Sequence, residues 1–130
     1  MSSFVVDTHA LVWYLEKDLK LSKRAREILN SAEAALIIPT IVLAELKYLF
    51  SKKKIRVSLA RVMETLDTDP RVRIRHFDLA CVEALDPGFN LHDAMIVATA
   101  IVFRRDIDPE TAIITKDRQI QDSGIIDTVW

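Results

Sequence analysis

A chain of 130 residues, half of them apolar and 28% charged, fits one folded domain and excludes a disordered segment. Its formal net charge of −1 gives no global pull toward nucleic acid, so any such binding must be local. The single cysteine, Cys81, excludes an internal disulfide, and no apolar run reaches the roughly 18 residues that a membrane span requires, so the chain reads as intracellular and cytoplasmic.

The first apolar run, "FVVDTHALVWYLE", is β-branched up to Asp7 and helical in spacing beyond it, at Ala10, Leu11, Tyr14 and Leu15. This predicts a strand over 3–6 and a helix starting just after Asp7. "LSKRAREILNSAEA" reads as an amphipathic helix capped by Ser22, and "ALIIP" as a short buried strand. "TIVLAELKYLFSKK" follows as a helix with Thr40 as its cap, and "VSLARVMETLDT" as another. In "RVRIRHF", Arg71, Arg73 and Arg75 alternate with Val72 and Ile74, the pattern of a half-exposed strand near a sheet edge. "DLACVEAL" is a helix ending before Pro87-Gly88, with Cys81 as a small apolar member. "NLHDAMIVATAIVF" has no charge from Ala94 to Phe103 and predicts the longest buried helix. "TAIIT" is a strand, "KDRQIQ" a turn of helix and "IIDTVW" a final strand. Alternating strands and helices predict a single three-layer α/β/α sandwich over 1–130 around a mainly parallel sheet.

In such sheets ligands bind outside the carboxyl ends of the strands. Asp7 closes the first strand, Asp117 follows "AIIT" by one residue beyond Thr115, Glu45 lies little more than one turn into the helix after the second strand, and Asp93 sits in the first turn of the longest helix. A parallel sheet would bring all four to one end of the molecule. Taken singly, Asp7, Asp93 and Asp117 read equally well as helix-capping or first-turn residues. Glu45 has Ile41, Val42, Tyr48 and Leu49 as helical neighbours; it is partly exposed, or bonded to a basic residue, or else protonated or bound to a metal. Two carboxylates about 4 Å apart repel by roughly 4 kcal/mol at an effective dielectric near 20, so a true cluster calls for shared protons or a cation. An all-oxygen set suits Mg²⁺ or Mn²⁺, and magnesium commonly meets substrate phosphate, which points to phosphodiester chemistry.

With these stretches in view, the chain resembles PIN domains, in particular the short VapC-type ribonuclease toxins of toxin–antitoxin pairs. "VVDTHALVWYLE", "PTIVLAEL", "LHDAMIVATA" and "IITKDRQI" carry the resemblance in family order over almost the whole chain. The resemblance implies metal-dependent RNA cleavage leaving 5′-phosphate and 3′-hydroxyl ends. It assigns Asp7, Glu45, Asp93 and Asp117 to the divalent ion, with Thr8 and Thr115 as supporting hydroxyls. It also implies a homodimer and a cognate antitoxin that enters the site. The three histidines show no zinc spacing; His92 is expected to be a first-turn or solvent-facing residue, and none is assigned as a general base.

An acidic pocket repels a polyanion, so cations must lie around its rim. Lys116 and Arg118 flank Asp117 and are the best placed; Lys52, Lys53, Lys54 and Arg56, and Arg104 with Arg105, are further candidates. Trp13 and Tyr14 could stack on bases, or pack in the core or at a dimer contact. Two other functions remain open: a PIN nuclease acting in RNA processing or on DNA, and a non-catalytic α/β binding module whose acids only cap helices.

Overall fold

The computed structural model describes residues 2–130, and its elements follow the hydrophobic pattern closely. In chain order they are β1 (Ser3–Val6), α1 (Thr8–Leu15), α2 (Lys23–Asn30), β2 (Ala35–Pro39), α3 (Thr40–Ser51), α4 (Leu59–Asp67), β3 (Val72–Arg75), α5 (Leu79–Glu83), α6 (Leu91–Asp106), β4 (Ala112–Ile114), α7 (Arg118–Ser123) and β5 (Asp127–Val129). The five strands form one sheet in the order β3-β2-β1-β4-β5, and every pairing is parallel. The three inner strands carry the apolar runs: Val5, Val6, Ile37, Ile38, Ile113 and Ile114 are fully buried. β3 is an edge strand, as its alternation predicts.

Topology fixes where a ligand can enter. From β1 the chain moves one way through β2 to β3, then crosses back to β4 on the other side of β1 and on to β5. Right-handed crossovers therefore carry α1–α4 over one face and α5–α7 over the other, making three α/β/α layers. Between β1 and β4 the direction of winding reverses, and a crevice opens there at the carboxyl ends. The backbone continues the pairing to the rim: Asp7 N donates to Ile114 O at 3.1 Å, and Thr115 N donates to Val129 O at 3.2 Å.

Local chemistry explains the helix ends. Ser22, Ser58 and Asp78 accept bonds from Ala25, Arg61 and Cys81 amides and so cap α2, α4 and α5. Gly124 ends α7 in the left-handed region, at φ 70°, which suits glycine there. Thr40 is not the cap of α3. Pro39 holds that position without a side-chain bond, and Thr40 is the first helical residue. Its hydroxyl instead accepts from Phe77 N at 3.3 Å, tying α3 to the segment after β3. α6 is the longest helix, with nine buried residues, and Cys81 is buried on α5. Among the described residues, no helix is long and apolar enough to cross a membrane.

Candidate active site

All four acids singled out in the sequence line one cleft of ≈ 500 Å³, together with His9, Trp13, Asn90, His92 and Lys116. Two larger hollows lie elsewhere, one near Ala35 and Arg71 at the amino ends of the strands, the other beside α1 and α2 around Leu19 and Arg26. Neither gathers acids at the carboxyl ends of the strands.

β1 delivers Asp7 to the switch point, where it caps α1. Its Oδ1 accepts from Thr8 N and its Oδ2 from the Thr115 hydroxyl, both at 2.6 Å. Thr115, fully buried just past β4, also accepts from Asp117 N at 3.0 Å. One hydroxyl thus joins an acid after β1 to an acid after β4. Asp117 caps α7, its Oδ1 accepting from Ile120 N at 2.9 Å. Capping and cleft lining are therefore compatible in these two residues, since each cap bond occupies only one carboxylate oxygen.

Asp93 is different. The cap of α6 is Asn90, whose Oδ1 accepts from Asp93 N at 3.0 Å and whose Nδ2 donates to Asp93 Oδ2 at 2.8 Å. Asp93 is buried, at 9% exposure, although α6 does not need it as a cap. Desolvation, then the charge of Asp117, pushes its carboxyl above the ordinary 3.8, with Asp7 adding to the rise and Asn90 opposing it. Burial also raises Asp7, against the bonds from Thr115 and Thr8. Two of the acids are thus held where ionisation is disfavoured.

Glu45 is half-exposed on α3 and bonded to His92 Nε2 through Oε1 at 2.7 Å. Burial acts to raise its carboxyl, but the bonds from His92 and Thr8 overcome this and hold it below the ordinary value. His92 moves the other way, lifted above 6.5 chiefly by the Glu45 bond. His92 takes the first of its two expected places, the first turn of α6, and its ring also lines the cleft. The Thr8 hydroxyl, on a fully buried residue, stands 3.4 Å from the same Nε2.

The acids share a cleft without converging on a point. Among the described residues, no three His, Cys, Asp or Glu side chains are grouped so as to hold a metal ion as they stand. Each of three acids has its own partner instead: Asp7 is engaged by Thr8 and Thr115, Asp93 by Asn90, and Glu45 by His92. The donor set is nevertheless rich in hard carboxylate oxygens and fits a divalent cation better than a soft one.

Of the expected cations, Lys116 lines the cleft and lies 5.5 Å from the Trp13 ring centroid, whereas Arg118 is exposed outside the lining. Arg104 is committed to Ile125 O at 3.2 Å and Arg105 to Asp106 at 2.7 Å. Trp13 reaches the cleft wall and meets Trp130 edge-on at 5.9 Å. Asn90 is the residue that sequence reasoning passed over; an Asn three positions before Asp93, at a helix start, was the available signal.

An acid-lined crevice at the switch point of a parallel sheet places the chain among α/β proteins with a ligand site at the strand ends. The family model for the PIN domain matches residues 4–124, and the chain belongs to that family, a family of nucleases. Two solved structures resemble it in fold. One is VapBC2 from Rickettsia felis bound to a DNA fragment from its promoter, at 18% identity and TM-score 0.61, covering 98% of this chain and 97% of that one. The other is DNA-bound VapBC from Salmonella typhimurium, at 18% identity and TM-score 0.59, covering 99% and 98%. No curated protein sequence matches the chain.

Proposed function

We propose that this chain is a divalent-metal-dependent endoribonuclease of the VapC type, using Mg²⁺ or Mn²⁺ and restrained by a cognate antitoxin. The observation that carries this reading is the meeting of Asp7, Glu45, Asp93 and Asp117, from four separate segments, in one cleft at the β1/β4 switch point. Family membership supports the nuclease chemistry, and the likeness in fold to chains of VapBC assemblies motivates the antitoxin partner and the homodimer.

Asp7, Asp93, Asp117 and Glu45 are the residues that would hold the ion. When bound, it supplies activation of the attacking water and neutralisation of charge on the phosphodiester. The chain supplies the rest. Thr115 fixes Asp7 and Asp117 relative to one another, Asn90 fixes Asp93, and Lys116 offsets the negative rim toward a phosphate backbone.

RNA cleavage by the parent, Asp7→Asn and Asp93→Asn proteins, with Mn²⁺ or with EDTA, tests the proposal. The expected result is cleavage by the parent with Mn²⁺ only, and a loss of at least 100-fold in both variants. Equal cleavage by folded variants would remove the assigned chemistry.

A further inference from the structure

Glu45 is the one cleft acid, among the described residues, whose carboxylate is held by another titratable side chain. We propose that His92 is a positioning residue that keeps Glu45 out of the cation's ligand set, its Nε2–H claiming, at 2.7 Å, the Oε1 oxygen that an ion shared with the aspartates would otherwise take. The inference rests on the metal site proposed above and adds an order to it. Asp7, Asp93 and Asp117 receive the ion first; Glu45 joins only when His92 lets go.

Three observations carry this. The pair joins α3 to the first turn of α6, two elements that line the cleft, and is not a local cap. The ring also lies beside Thr8 of α1, whose Oγ1 is 3.4 Å from the same Nε2, which places the imidazole between α1 and α3. Both partners are only partly covered, with side chains 28% and 29% exposed, so the bond can open without unpacking the core. The bond needs an Nε2–H donor, which imidazolium always supplies and neutral imidazole supplies in its Nε2–H tautomer, more weakly. The clasp can therefore form in either state of the ring. Other groups facing it are Asp7, Asp93 and His9.

Residues that orient or restrain metal ligands typically change affinity by about 10- to 100-fold. Mn²⁺ titration of the full chain, followed by the EPR signal of the free ion, reads this without any cleavage assay. His92→Ala should bind Mn²⁺ about tenfold more tightly than the parent. His92→Gln, which keeps an N–H donor but no ring charge, should stay within about twofold of the parent. Glu45→Gln alone should also change little, and the double variant H92A/E45Q should lose the gain. Should H92A melt below the assay temperature, His92→Leu takes its place. A His92→Ala affinity equal to the parent's would overturn the clasp, as would an equal gain in His92→Gln, which would trace the effect to charge. A large loss in Glu45→Gln alone would overturn it too, by making Glu45 a ligand from the start. A parent that binds no Mn²⁺ would instead sink the metal site itself, and the clasp with it.

Discussion

Two charged regions at opposite ends of the sheet obey opposite rules. At the amino end of β3, Arg71 donates to Asp69 through Nε and Nη2 and sends Nη1 to the carbonyls of Leu29 and Ser31, both at 2.7 Å. Asp69 is accordingly held below its ordinary value, first of all by the Arg71 bond. At the carboxyl end, Asp7 and Asp93 are raised by burial and, among the described residues, form no ion pair. The chain pairs Asp69 where the fold is served, and in the cleft it pairs Glu45 with His92. Asp7 and Asp93 are left with the cost of burial, to which Asp117 and Asp7 add repulsion at Asp93, the pattern expected where local stability is given up for function.

Breaking the cleft should show this most clearly. Asp93→Asn should cut cleavage by at least 100-fold and yet stabilise the chain by about 1 kcal/mol in EDTA, the scale of a relieved charge conflict. The sign follows from linkage. A carboxyl whose folded pKa is raised favours the folded state below the unfolded value, and that contribution is lost as pH rises through the folded value. Thermal melts of the parent in EDTA should therefore lose part of their stability from about pH 4 toward neutrality, and Asp93→Asn should flatten that slope. A destabilised variant would refute the cost of burying the Asp93 charge.

Arg71→Met tests the other end. It removes several charge-assisted bonds and should cost about 2–3 kcal/mol in urea unfolding while leaving Mn²⁺ affinity unchanged. Asp69 is the mirror case: its folded pKa is depressed, so its contribution is present above the unfolded value and lost as pH falls through the folded one. The parent should show this acid loss and Arg71→Met should show less of it, since the backbone N–H of residue 71 still donates to Asp69.

Two smaller effects sharpen the contrast. Thr115→Val deletes the donor to Asp7 and the acceptor for Asp117 N; about 1–2 kcal/mol of stability and roughly tenfold of cleavage should be lost, with Thr115→Ser retaining most of both. Lys116→Met should leave melting unchanged, weaken RNA binding a few-fold and reduce the salt dependence of binding by about one unit of slope, measurable by anisotropy at several salt concentrations.

How much of this was legible in the sequence depends on how far apart the interacting residues lie. The strands and helices were, because period and β-branching are local: "VVDTHALVWYL" changes period at Asp7, where β1 gives way to α1. Ser22 was legible as a cap for the same reason. Thr40 was misread because the cap pattern counts a threonine beside a helix without knowing that Phe77, 37 residues on, would take its hydroxyl. The four acids could be placed at one end from topology alone, but their bonds could not. A basic partner was among the readings of Glu45, and the structure supplies one in His92, a contact that no spacing rule links. Arg71 looked like one tooth of a solvent-facing stripe, although it ties the end of α2 to the turn that leads into β3.

The Thr115–Asp7 bond joins residues 108 positions apart, and that distance has a consequence for synthesis. A central strand laid down first waits for a neighbour that emerges almost last, so the catalytic rim has no second half while the ribosome is still working through α6. Contacts of such long range form late, and vectorial synthesis delays them further. If the chain cleaves RNA as proposed above, it is born harmless to the message it is read from, because Thr115 completes the cleft only after nearly all of the chain described has been made.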